Sequence, residues 1–311
     1  MAVRAKAFIR AKIRELKKKV GKGAAICATS GGVDSMVCAA LAHRALRKNL
    51  IALFIDDGLM REGEPQQVAK ILKGRGIRTV VVKAAPDFFR ALKGKTDPED
   101  MRKAFRDTFY ITLGKAVKKY RAAFMIQGTI AADVIETKGQ VKSQHNVLSQ
   151  IGIDPMKYGL AILEPLVTLF KPDVRVVGKK LGLPRAIYQR MPFPGPGLAT
   201  RVVGEVTPER VRIVRKATVI VERELKRFKS FQKFAVLLND RATGVRKGKR
   251  TFGNIIVVRS VESKNAMTAA PTRIPHPVLE RIQRRIVREL PMVTKVLYDI
   301  TPKPPSTIEY I

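Results

Sequence analysis

Apolar positions in the first part of the chain switch between two periods. Phe8, Ile9, Ile13, Leu16 and Val20 recur at helical spacing and predict a helix over 4–19. Residues 24–28 read as a short strand and 34–47 as a helix. The run LIALFID, 50–56, is apolar without alternation, as a strand covered on both faces must be. Further helices are predicted over 64–73, around 86–92 and over 98–119, with strands over 79–82 and 123–126. This β–α–β–α rhythm predicts an α/β fold with a doubly wound parallel sheet. Such sheets take ligands at the carboxyl ends of their strands, near the point where the strand order reverses.

The rhythm breaks at 136–152, which is polar, has no period and contains Gly139 and Gly152; it reads as a mobile loop. A helix from Pro172 follows, with Gly182 beyond its end. The stretch MPFPGPGLATR, 191–201, then places three prolines and two glycines in seven residues, which neither a helix nor a strand tolerates. A domain boundary is expected there, giving domains of 1–190 and 191–311. In the second, helices over 208–228 and 277–290, strands over 234–238, 254–261 and 293–300, and an extended tail read as α+β.

Composition narrows the class. The 311 residues are 45% hydrophobic, enough for two cores. No apolar run approaches the roughly 18–20 residues that span a bilayer, so no membrane association is expected. The basic N-terminus has no apolar core or small-residue cleavage site of a signal peptide. Cys27 and Cys38 fit neither a disulfide framework nor a zinc spacing, so a reduced, cytoplasmic protein is expected. Sixty-one Lys and Arg against 26 Asp and Glu give a net charge of +35. That suits a polyanionic partner, or a solvated basic surface with no partner at all.

The candidate chemistry lies in TSGGVDSM, 29–36, between the first strand and the second helix. A Walker A loop would carry a lysine here to hold a transferring γ-phosphate, and this loop has none. Gly31 and Gly32 let backbone amides converge on an anion, Ser30 and Ser35 add hydroxyls, and the positive end of a helix lies behind them. Asp34 is repelled by phosphate unless a cation intervenes, which points to Mg2+.

The string SGGVDS resembles the PP-loop of ATP pyrophosphatases, enzymes that cleave ATP between its α- and β-phosphates. The resemblance implies ATP binding at Ser30, Gly31, Gly32, Val33, Asp34, Ser35 and Met36. The strings QGTIAADVIET, VKSQHNV, LEPL, PFPGPGLATR and YDITPKPPSTIEY occur in order along the chain. Together they are similar to the synthetase portion of the GMP synthetase family. That family adenylates xanthosine monophosphate (XMP) and then displaces AMP with ammonia. By this likeness 136–152 is a catalytic lid, with Asp133, Glu136, Lys142 and His145 as its motif residues. Arg102, Lys303, Thr307 and Glu309 correspond to residues that bind XMP. The second domain is implied to dimerise, giving a homodimer.

No glutaminase domain fits before residue 30, so a separate glutaminase subunit is expected to supply the ammonia. The chain departs from the family pattern at Gln144, Met191, the GVRKGKRTF segment and its final Tyr-Ile. Rival readings are a PP-loop enzyme that adenylates a tRNA base and a non-catalytic nucleic-acid-binding protein on the same fold. The two cysteines do not suit the sulfur transfer common in the first, the intact SGGVDS with Lys142 argues against the second, and nucleic acid is not expected as a partner despite the charge.

Overall fold

A computed structural model describes residues 3–138, 160–264 and 266–311, the side chains of 135–138 excepted. The elements in order are α1 (Ala5–Val20), β1 (Ala25–Thr29), α2 (Val33–Leu46), β2 (Leu50–Asp56), α3 (Glu64–Lys73), β3 (Thr79–Lys83), α4 (Ala85–Leu92), α5 (Pro98–Lys119), β4 (Phe124–Ile126), α6 (Ala131–Lys138) and β5 (Ala161–Leu163). The helices Lys171–Lys180 and Arg185–Tyr188 follow, then the helix Pro208–Glu224, strands β6 (Gln232–Arg246), β7 (Lys249–Glu262) and β8 (Ala270–Pro271), the helix His276–Glu289 and β9 (Val293–Tyr298). The chain divides into two units.

The first unit comprises 1–57, 63–84 and 107–190. Its five-stranded sheet runs β3-β2-β1-β4-β5, and every pairing is parallel. The order grows from β1 in one direction through β2 and β3, then restarts on the other side with β4. The reversal therefore falls between β1 and β4, where this architecture seats its ligands. Strand β1 lies between two neighbours and is almost wholly buried, which is why its sequence, AICAT, carries no charge. Helix α2 is apolar nearly all round: Val33, Met36 to Ala42, Ala45 and Leu46 are buried. It packs against α1 and the helix Lys171–Lys180 as well as the sheet, which leaves Arg44 as its one exposed residue and no broad polar face to pattern.

The second unit comprises 58–62, 85–106 and 191–311. Two segments from the first half of the sequence thus belong with the C-terminal portion. Strands β6 and β7 form an antiparallel hairpin, β8 pairs antiparallel with the end of β7, and β9 runs parallel to β7. The helix Pro208–Glu224 begins with Thr207 as its cap, whose hydroxyl accepts from the Arg210 amide at 3.2 Å. Phe234, Val236, Val257 and Val261 form a core with Ala269 and Ile308 of the tail.

Three expectations need correction. The strands expected over 234–238 and 254–261 are the inner part of a much longer hairpin, closed by Lys247 (φ 49°) and Gly248 (φ 74°). Both turn residues are left-handed, as a two-residue turn that follows the twist of its strands requires. The arm beyond the bulge at Leu237 and Arg241 exposes apolar Val245 and Phe252 as well as charged residues, so its hydrophobic pattern does not follow its burial. Helix α6 runs to Lys138, three residues into the segment expected to be a loop, whose remainder falls outside the described residues. The helix expected over 208–228 ends at Glu224, where the buried Lys233 caps it by donating to the carbonyl of Leu225 at 2.6 Å.

Candidate active site

The glycine loop is built from its own hydrogen bonds. The Ser30 amide donates to Ser35 Oγ at 3.1 Å, and Ser35 Oγ donates to the Gly32 carbonyl at 3.1 Å. The Ser30 and Ser35 hydroxyls lie 3.2 Å apart, and the Gly32 amide reaches Ser30 Oγ at 3.4 Å. Gly32 is the N-cap of α2 with extended backbone, so the open amides of the first turn face outward at the positive end of the dipole. Val33 and Met36 are buried, so those two support the loop from the core while Ser30 and Ser35 present polar groups.

From the other side of the switch point, Gly128 packs onto the loop. A Cβ there would stand 2.9 Å from the Asp34 carbonyl carbon and from the Ser35 nitrogen. A cavity of about 300 Å³ opens beside the carboxyl ends of β1 and β4, lined by Thr29, Ser30 and Gln127 to Thr129, with Phe109 and Tyr110 of α5 opposite. Asp133 also lines it and caps α6 by accepting from the Ile130 amide at 2.9 Å.

Asp34 is the electrostatic centre. One carboxylate oxygen pairs with the ammonium of Lys171, while the other, Oδ1, is buried without a hydrogen-bond partner. Burial pushes its carboxyl above the ordinary value, and the Lys171 ammonium opposes that rise. A buried, unpaired carboxylate oxygen next to an anion-binding loop fits a divalent cation. Among the described residues no cluster of three or more His, Cys, Asp or Glu could hold a metal. A cation here would therefore draw its other ligands from phosphate and water, as Mg2+ commonly does. Cys27 and Cys38 are buried free thiols behind the loop. The neighbouring Cys27 thiol and burial push the Cys38 thiol well up, so it stays protonated.

In the second unit the tail is anchored by two buried arginines. Arg201 grips the Glu309 carboxylate with two bonds of 2.9 Å, and Gln232 Nε2 donates to the same carboxylate at 2.8 Å. The Arg201 guanidinium also lies 4.0 Å over the Phe234 ring. Arg259, wholly buried, donates to the carbonyls of Thr301 (2.6 Å) and Thr307 (2.9 Å) and pairs with Asp299 at 2.9 Å. Lys303 donates to the Ala266 carbonyl at 2.9 Å, and the Thr307 hydroxyl to the Glu309 carbonyl. Lys303, Thr307 and Glu309 thus share one folded segment. Arg102 is exposed on α5 and paired with Glu99 one turn earlier. Lys142 and His145 lie outside the described residues; Glu136 is placed by backbone alone, on α6.

The sequence reading missed Lys171, Arg190, Glu64, Arg201, Gln232 and Arg259. Lys171 carried a usable signal. It occupies the first position of its helix, where the dipole disfavours a cation, so it needs an anionic partner. The others are joined to their partners across long sequence separations that no periodicity encodes.

A parallel sheet with a glycine loop at its reversal point and an open helix N-terminus behind it defines a phosphate-binding α/β protein. Consistent with this, residues 2–195 match the family model for NAD synthase and residues 220–310 that for the GMP synthase C terminal domain. The chain is 50% identical over 304 residues to the B-subunit of glutamine-hydrolyzing GMP synthase from Archaeoglobus fulgidus, covering 97% of this chain and 98% of the relative. It is 50% identical over 306 residues to the corresponding protein of Thermococcus kodakarensis (97% and 98% covered) and 47% over 313 residues to that of Methanopyrus kandleri (98% of each). The chain belongs to this GMP synthase family.

Proposed function

We propose that this chain catalyses the synthetase half of GMP formation. The XMP C2 oxygen attacks the α-phosphorus of ATP, an O–P bond forms and pyrophosphate leaves. Ammonia then adds at C2 and AMP departs, giving GMP. The observation that carries this reading is the SGGVDS loop at the sheet's switch point, with the unpartnered Asp34 oxygen beside it. Backbone amides of the loop and the hydroxyls of Ser30 and Ser35 hold the departing diphosphate, so no γ-phosphate lysine is needed. Asp34 would hold Mg2+, which neutralises charge on the phosphates when bound.

Lys142 and His145 supply donors at closure, and Asp133 and Glu136 stand at the lid's base. Lys303 and Thr307 suit the XMP phosphate, with Arg102 as a further contact, and Glu309 would accept from the purine N–H groups on exchanging the bonds it receives from Arg201 and Gln232. Residues 191–311 serve as the dimerisation and XMP-binding part of a homodimer, and a separate glutaminase subunit provides ammonia. The relatives are named as one subunit of a glutamine-hydrolyzing synthase, which supports that division. No helix among the described residues is long and apolar enough to cross a membrane, and a cytoplasmic location suits a purine synthetase.

Incubation with ATP, Mg2+, XMP and ammonium should yield GMP, AMP and pyrophosphate in equal amounts. Omission of XMP should abolish pyrophosphate release. Absence of GMP from folded protein under these conditions would refute the reading.

A further inference from the structure

Gly31 has a φ of +75°, a conformation that glycine adopts without steric cost. This turn directs its carbonyl onto the Arg190 guanidinium, which donates to it at 2.7 Å. The fit is tight: a Cβ at Gly31 would lie 2.7 Å from Val68 Cγ2 and 2.9 Å from an Arg190 nitrogen. The other arm of Arg190 is paired with Glu64, a buried carboxylate at the start of α3. The guanidinium is therefore charge-compensated and held in a fixed fork.

The Gly31 carbonyl and the Gly32 amide belong to one peptide unit. In a trans peptide the two are coplanar and point in opposite directions. With the carbonyl seated on Arg190, the Gly32 N–H must face the other side, where Ser30 Oγ lies. That is the side on which the loop presents its hydroxyls. A donor on the carbonyl also polarises the peptide and strengthens its N–H as a donor.

We propose that Arg190 is a positioning residue, which by holding the Gly31 carbonyl fixes the peptide so that the Gly32 N–H donates to the diphosphate of ATP, with Glu64 fixing Arg190 in turn. The inference rests on the reading of this loop as the pyrophosphate seat. Arg190 acts through the peptide and touches no substrate. Lysine would keep the charge but lacks the planar fork that spans a carbonyl and a carboxylate together.

The test is calorimetric titration of the full chain with magnesium pyrophosphate and, separately, with adenosine, alongside thermal melting and steady-state kinetics. Arg190→Lys should weaken pyrophosphate binding on the order of tenfold, the scale of one lost charge-assisted bond, and leave adenosine binding unchanged. KM for ATP should rise more than KM for XMP. Glu64→Gln should produce a smaller loss in the same direction. Wild-type pyrophosphate affinity in folded Arg190→Lys, or equal loss for pyrophosphate and adenosine, would overturn the proposal. Should Arg190→Lys fail to fold, unchanged pyrophosphate affinity in Glu64→Gln overturns it equally. A wild-type chain that binds pyrophosphate yet never converts XMP would defeat the functional reading and leave the clamp standing.

Discussion

The ammonium of Lys171 meets one oxygen of the Asp34 carboxylate, and the second oxygen of that carboxylate is buried beside the glycine loop with no partner. Burial raises the Asp34 carboxyl, the nearby Asp133 adds to the rise, and Lys171 and Arg175 pull it down. The form that can hold a cation is the carboxylate, so adenylation should fall as pH drops through this raised value. Lys171→Met removes the main counter-charge and should shift the acid limb of pyrophosphate release to higher pH. Asp34→Asn should lose adenylation by on the order of a hundredfold, the usual cost of removing one contact to developing charge. An acid limb identical in wild type and Lys171→Met would show that the pair does not set it.

Lys303 lies in a tail segment held by its own backbone bridge to Ala269, with bonds of 3.0 and 2.8 Å. Removing its ammonium should therefore leave the segment folded. Lys303→Ala is expected to raise KM for XMP at least tenfold, on the order of a lost charge-assisted contact, while KM for ATP stays near wild type. A matched loss for both substrates would contradict the assignment to XMP.

Arg259 is the central support of that tail. It is wholly buried, and three groups, Asp299, Thr301 and Thr307, depend on it. Arg259→Leu would leave the Asp299 carboxylate without its counter-ion at a cost of about 3–5 kcal/mol, read as a fall in melting temperature. Burial alone would raise the Asp299 carboxyl. The Thr301 amide, the Tyr310 hydroxyl and Arg259 outweigh it and hold the group below its ordinary value of 3.8. A depressed folded-state value stabilises the protein above the free carboxyl's range, and that contribution is lost as pH falls through the folded value. Asp299→Asn should therefore flatten the loss of stability in acid, and an unaltered acid melting curve would refute this linkage.

The first unit was legible because its signals are local. A strand buried on both faces must be apolar, as β2 is from Leu50 to Ile55, and a loop suited to an anion carries glycines and hydroxyls at fixed offsets, as 30–35 does. The second unit was legible only in part. In the outer half of the β6–β7 hairpin Arg241, Thr243 and Val245 are exposed while Ala242, Gly244 and Arg246 are half-buried, so residue type does not track the alternation. The segments 58–62 and 85–106 join the second unit through contacts such as Arg215 to the Met60 carbonyl at 2.8 Å, 155 positions apart. The proposed site rests on residues whose types suit a phosphate ligand, while Arg190, Arg201 and Arg259, which hold its backbone and its tail, carried no signal in the sequence. A buried arginine looks like any other basic residue until its partner is known, and in a chain with 61 Lys and Arg the background hides it.

Gly128 offers a test of how closely the two sides of the switch point must approach. Its neighbours are backbone atoms of the first turn of α2: a Cβ would meet the Asp34 carbonyl carbon and Ser35 nitrogen at 2.9 Å and the Asp34 oxygen at 3.1 Å. No side chain can swing aside to relieve such a contact, so in Gly128→Ala the segment after β4 must retreat from the loop. The retreat would carry Gln127 and Thr129 with it, both of which line the cavity. Thr129 is itself tied to Glu164 by a 2.6 Å bond, so the shift is resisted and strain remains in the folded state. Overpacking of this kind costs about 1–3 kcal/mol, which should appear as a modest drop in melting temperature with the fold retained. The larger effect should be kinetic, because a displacement of about 1 Å in a catalytic arrangement costs up to a hundredfold in rate. Pyrophosphate release by Gly128→Ala is expected to fall at least tenfold, on that scale, with the far-ultraviolet circular dichroism unchanged. Wild-type turnover in this variant would mean that the loop and the β4 segment can separate without consequence for the reaction.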